Sequence, residues 1–381
     1  MVAVKYRGQV LKPRLPHLSP QKQQEPEPQE DDEGAPVDAG DPFDVPEDSI
    51  NREKMIEAVK ADGNSLGTMP WAVRSDREIV LLAVQQEPTS IQYATAELQA
   101  DREVALEAVR LRGSVLEILN EEHLHDSEIV FEAVRQDGLA LRFAPPEFKA
   151  APDMVLEAVT QNWRAVEYGT EEAHSDRNFI IEGVKMNWRI LHYASPDLAA
   201  DREIVRLAAL QNWAALAHAA EYLKSDRALI CEAVDKNWQA LLYASNDLRN
   251  DPAMIRRGLA QSGLALQCAS EALREDRALA LEAVRKTGLA LEYASDELRD
   301  DPELVLIAVE QDRNAFQYAS ERLRGDREFV LKVVKFDGMV VEYASEALKA
   351  DRGLMQEAVR QDWRAVEHAH ASINQDSSLL A

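Results

Sequence analysis

DRALALEAVRKTGLALEYASDELR, residues 276–299, decides the fold, and DREFVLKVVKFDGMVVEYASEALK, residues 326–349, repeats its plan. Asp276 stands where an N-cap belongs, its carboxylate placed to accept from a free amide of a first helical turn. Apolar residues follow at Leu279, Ala280, Ala283 and Val284, the i, i+1, i+4, i+5 spacing of one helix face. The Thr287-Gly288 pair reads as stop-and-turn chemistry ending this helix A. A shorter apolar set, Ala290, Leu291, Ala294 and Leu298, predicts a helix B, open to a break after Ala294, where Ser295 can cap a last turn.

Working outward, the same text recurs every 25 residues from Asn51 to Gln375 without insertion or deletion. Counting each unit from its first residue, Asp opens all but two of the starts, the exceptions being Asn51 and Ala151. Pro152, Pro252 and Pro302 fill position 2, the first helical residue, whose N–H has no helical partner to lose. Position 8 is Ala almost throughout, or Gly at Gly183 and Gly258, small enough for a neighbouring helix to come close. One such unit cannot cover its own apolar face, whereas a stack can. The fold class is therefore all-α: an α-solenoid of thirteen 25-residue two-helix repeats. Helices spaced by roughly 8–10 Å would give it a contour on the order of 100–130 Å.

Three regions result. Residues 1–50 hold half of the 16 prolines, a Gln cluster and an acidic stretch from Glu25 to Asp48, the composition of a disordered tail. Residues 51–375 are the array, with a degenerate second half in the first unit (Gly67, Pro70) that suits a terminal cap. Residues 376–381 begin a fourteenth unit, and the sequence leaves open whether this stub caps the array or the reading frame is truncated.

The formal charge of −25 disfavours nucleic acid and anionic membrane surfaces as ligands, and leaves protein or peptide partners of basic character as the fitting class. Cys231 and Cys268 are the only cysteines, so no disulfide framework is implied. No apolar run reaches the about 20 residues of a membrane span. The expectation is a soluble, cytoplasmic protein, with its oligomeric state left open.

The wording of 276–299 and 326–349 resembles the domain of unknown function 4116, and the resemblance covers most of 51–375. It implies helical repeats serving as interaction modules, with no catalytic residue to transfer. Units 2 and 3 depart from the pattern: Glu87-Pro88 and Arg112-Gly113 stand at the turn, and Ile118-Leu119-Asn120 replaces Tyr-Ala-Ser.

Searching for chemistry yields no phosphate loop, no zinc-spaced cysteines and no cofactor motif. His123/His125 and His368/His370 are two residues apart, a spacing that does not share a helix face. His218, His368 and Cys268 replace a recurrent Tyr and read as structural substitutions. The aspartates lie one unit apart, too far to share a cation, and capping accounts for them. The chain is expected not to be an enzyme.

A tryptophan row remains. Trp163, Trp188, Trp213 and Trp238 occupy position 13 of four consecutive units, each after an Asn, and Trp363 repeats the device. They either seal the turn against the next unit or form an anchor strip for a partner. Nearby, Leu207 and Leu210 stand where Glu and Arg are usual, and Ala217 and Leu242 where Glu is usual. The expectation is an apolar patch in the central units that takes a peptide or helix, within an interaction scaffold presenting an elongated acidic surface. The alternative is a self-assembling structural element.

Overall fold

The computed structural model describes residues 51–373. In the tenth unit, Asp276 accepts from the amides of Ala278 and Leu279 and starts an α-helix, Arg277–Lys286. Thr287 is extended, and Gly288–Tyr293 forms a 3-10 helix. The chain straightens again at Ala294, and Ser295 caps a one-turn helix, Asp296–Arg299. The described units repeat this order, except that Glu221–Ser225 is a 3-10 segment and the last unit shows only a turn after its own 3-10 helix, and the long helix is ten residues in all but Pro252–Leu259 and Arg327–Val334. No strand occurs among the described residues, so the all-α repeat fold expected from the 25-residue period is the fold. The N-terminal tail, 1–50, and the partial repeat, 376–381, lie outside the described residues.

Two details differ from the sequence reading. Helix B is a 3-10 segment of six residues, with its break at position 19. With three residues per turn, positions 14 and 17 share the outward side while 15 and 16 face inward. The Asn/Asp at position 12 makes no left-handed turn. It is extended (Asn162 φ −148°), and its side chain caps the 3-10 helix, as Asn162 does for the amide of Arg164 at 3.1 Å.

Successive units bury positions 4, 5, 8 and 9 of the long helix against positions 15 and 16 of the 3-10 helix, as in Leu279, Ala280, Ala283, Val284, Ala290 and Leu291. Small residues set how close they come. A Cβ on Gly258, at position 8, would stand 2.6 Å from Leu241 Cδ1. Position 13 is tighter still. A Cβ on Gly63 would lie 2.5 Å from the carbonyl oxygen of Ala83 in the next unit, and Gly113, Gly138, Gly263, Gly288 and Gly338 would meet the equivalent oxygen more closely. Glycine there answers to proximity, not to backbone dihedrals. Where position 13 is Trp, the following helix must stand off to admit the Cβ.

Three kinds of hydrogen-bonded stitch join successive units, each present at many but not all of the junctions. The amide at position 20 donates to the carbonyl at position 24 of the preceding unit, as in Ser295 to Arg274 at 3.1 Å and Ser320 to Arg299 at 2.9 Å. A glutamine at position 11 accepts from the position-13 amide of the unit before it: Gln136 from Gly113 at 2.6 Å, Gln261 from Trp238 at 2.9 Å. The third was not legible as a pair in the sequence. Arg at position 2 reaches the capping aspartate of the following unit, Arg102–Asp126 at 2.6 Å and Arg277–Asp301 at 2.7 Å. The guanidinium of Arg102 holds the Asp126 carboxyl below the usual carboxylate range. Being half-exposed, such pairs add only about 0–1 kcal/mol each and act more on register than on stability. Ser127 and three prolines interrupt the ladder after units 4, 5, 9 and 11.

Close approach at position 13 is testable by one methyl group. Gly138→Ala should cost about 1–3 kcal/mol through overpacking. Gly325→Ala, whose Cβ would meet nothing nearer than Ser345 Oγ at 3.8 Å, should be neutral or slightly stabilising. Denaturant melts in which both variants match the parent would contradict the packing.

Candidate functional site

The outward side of the 3-10 helices carries one exposed row, position 17, whose chemistry changes along the chain. It is Glu167 in unit 5, then His192, Ala217, Leu242 and Gln267, and Glu again at Glu292. Removing the carboxylates from units 6–9 leaves a strip in which Leu242 is 43% exposed. Positions 21 and 22 flank it with exposed acids, among them Glu171, Glu172, Asp197, Glu221 and Asp247. Tyr222, exposed, donates its hydroxyl to the carbonyl of Ala200 beside the strip.

At one end of the strip lies a cleft of about 250 Å³ lined by Trp163, Trp188, Arg189, His192, Tyr193 and His218. The guanidinium of Arg189 sits over both indoles, 4.7 Å from the Trp188 ring centroid and 5.8 Å from that of Trp163, and Arg164 lies 5.2 Å from Trp163. These are cation–π distances. Neither arginine has a carboxylate within 4.0 Å among the described residues. The imidazoles of His192 and His218 are 4.7 Å apart between centroids, with their Nδ1 atoms at 3.3 Å.

Burial, then the neighbouring His192 and Lys224, push the His218 imidazole below its ordinary proton affinity.

The tryptophans are distributed between the two roles anticipated for them. Trp188, Trp213 and Trp238 are half-buried and pack on the core, and Trp213 lies 5.8 Å from the ring of Tyr243 in the next unit. Trp163 is half-buried and opens into the cleft. Trp363, in the last described unit, is 66% exposed.

The leucines do not join them. The helix Arg202–Gln211 buries Ile204, Val205, Ala208 and Ala209 towards the 3-10 layer, which turns Leu207 and Leu210 to the opposite side. Position 6 of one unit meets position 7 of the next, as Arg206 meets Glu232 at 2.6 Å. The same register sets Leu207 beside Ile181, both half-buried. Trp163, Trp188, Trp213, Trp238 and Leu242 share the 3-10 layer, while Leu207 and Leu210 lie on the helix layer. A single patch containing all seven is not formed.

The remaining sequence candidates have structural partners. His123 is buried at a position normally Leu, and its Nε2 lies 3.1 Å from the Gln99 carbonyl. His125 meets Glu147 at 2.6 Å. Burial pushes the Cys268 thiol up to about 11, far from a reactive thiolate. No group of three or more His, Cys, Asp or Glu side chains is arranged to hold a metal ion among the described residues. His192 and Arg189 were not singled out by sequence. Their signal lies in the rows: a His at position 17 and another at position 18 of the next unit, both departing from Glu and Tyr.

Stacked, stitched 25-residue helical units define a helical repeat protein. The chain belongs to the family described as "Domain of unknown function (DUF4116)", whose pattern matches residues 51–99, 101–149, 126–172, 176–224, 226–274, 276–324 and 326–373. Each match spans two structural units, and the overlap over 126–149 accommodates an odd number of them. No curated protein and no solved structure matches the chain. No helix among the described residues is long and apolar enough to cross a membrane.

The perturbed histidine gives a pH test. A lowered folded-state proton affinity means that His218 contributes fully above about pH 6.5, the unfolded value, and that stability falls as pH drops from there through the folded value. The melting temperature of the parent should therefore fall more between pH 7.5 and 5.5 than that of His218→Tyr, which restores the residue usual in this row. Equal losses would contradict the assignment.

Proposed function

We propose that the chain is a non-enzymatic protein–protein interaction scaffold, and that a partner peptide or helix docks along the outward 3-10 face of units 5–8. The observation that carries this reading is the change in the position-17 row: carboxylates give way to His192, Ala217 and Leu242 beside the Trp163–Trp188 cleft. An exposed apolar strip rimmed by charge is the usual character of a recognition surface. The exposed acids at positions 21 and 22 favour a partner with basic residues on that flank. The indoles already carry guanidinium groups of this chain, and an incoming arginine would reproduce that contact. Beyond this strip, the net charge of −25 supports an elongated acidic surface and argues against nucleic acid.

Restoring the common residue at two positions tests the reading without disturbing the core. Ala217→Glu with Leu242→Glu should abolish capture of strip-binding proteins from an extract of the source cells and leave the melting temperature unchanged. Leu210→Glu, on the opposite layer, should retain them. Identical capture by all three proteins, or loss with Leu210→Glu alone, would overturn the placement.

A further inference from the structure

Among the clefts, the charged rows and the isolated histidines, one pair of side chains has a geometry that its fold does not require. Position 17 of one unit faces position 18 of the next. In units 10 and 11 this register sets the Glu292 carboxylate near the Tyr318 hydroxyl, where burial first and then that charge push the phenol up. In units 6 and 7 both members are exchanged, and two imidazoles meet instead, His192 Nδ1 lying 3.3 Å from His218 Nδ1.

We propose that His192 and His218 hold a borderline divalent cation of the Zn²⁺, Ni²⁺ or Cu²⁺ class through their Nδ1 atoms, in a two-imidazole half-site that spans units 6 and 7. Two nitrogens on one tetrahedral zinc, each at about 2.0–2.1 Å, are about 3.3–3.4 Å apart, and the observed pair already matches that span. Imidazole nitrogen is the ligand these metals prefer, whereas Mg²⁺ and Ca²⁺ require oxygen donors. The nearby cations are engaged elsewhere: Arg189 lies over the two indoles, and Lys224 pairs with Glu221 at 2.6 Å. The ligating form of histidine is neutral, the ordinary form of an imidazole at pH 7.5. Two coordination positions stay open for water, or for an imidazole or carboxylate of a molecule lying on the strip. This inference does not depend on the docking proposal, because the cation binds the isolated chain.

The test is calorimetric titration of the full, chelator-washed chain with ZnCl₂ at pH 7.5. One saturable site per chain is expected, along with quenching of tryptophan fluorescence when Cu²⁺ replaces Zn²⁺, since Trp188 lines the same cleft. His192→Gln and His218→Tyr each place a residue that other units carry in that row, so both variants should fold. Each should weaken Zn²⁺ at least about tenfold, and a fixed zinc concentration should raise the melting temperature of the parent more than that of either cleft variant. His125→Gln, a histidine outside the cleft, should bind as the parent does. Absence of a saturable site in the parent, or affinity unchanged in both cleft variants, would overturn the proposal and point to a plain Nδ1–H···Nδ1 hydrogen bond. Failure here leaves the partner-capture result untouched, and the reverse also holds.

Discussion

The carbonyl oxygen at position 8 of each long helix faces the backbone at position 13 of the unit before it, and the distance between them governs how the array is put together. Glycine at position 13 brings the two backbones to contact, as at Gly138 against Ala158. A small residue at position 8 allows the approach from the other side, and Gly258 against Leu241 marks its limit. The stitches presuppose that spacing: the amide at position 20 finds the carbonyl at 24, and glutamine at 11 reaches the amide at 13, only if successive units are in register. Each such hydrogen bond contributes about 0.5–1.5 kcal/mol, so stability accrues by summation along the stack and not from any one contact.

Tryptophan at the same position reverses the geometry. Units 5–8 cannot close as tightly as their glycine-bearing neighbours, and the indoles fill the wider seam. The outward row loses its carboxylates from unit 6 onward, so the aromatic cleft and the apolar strip lie next to each other in the central units.

The repeat, its two apolar faces and the capping aspartates were legible because packing and capping impose the same kind of side chain at the same place in nearly every unit. The role of Arg at position 2 was present in the text but ambiguous, since an exposed arginine has no burial pattern to betray its partner a unit away. The 3-10 form of helix B was hidden for a related reason: six residues are too few for a period of 3.0 to be told from 3.6. Leu207 misled because apolar character at an outward position is equally suited to a binding patch and to a seal against Ile181. His192 and His218 could have been found only by comparing positions 17 and 18 across units, since neither is unusual alone.

The array depends on 25 residues being the physical unit of stacking, and a deletion tests it most directly. Removing residues 276–300 takes out one complete unit and rejoins position 25 of unit 9 to position 1 of unit 11. Such a protein should keep the parent's far-ultraviolet circular dichroism per residue and a cooperative melt. Removing only residues 276–295 should lose helical signal and several degrees of stability, because it leaves one stack interface out of phase. Equal disruption by the two deletions would contradict the account.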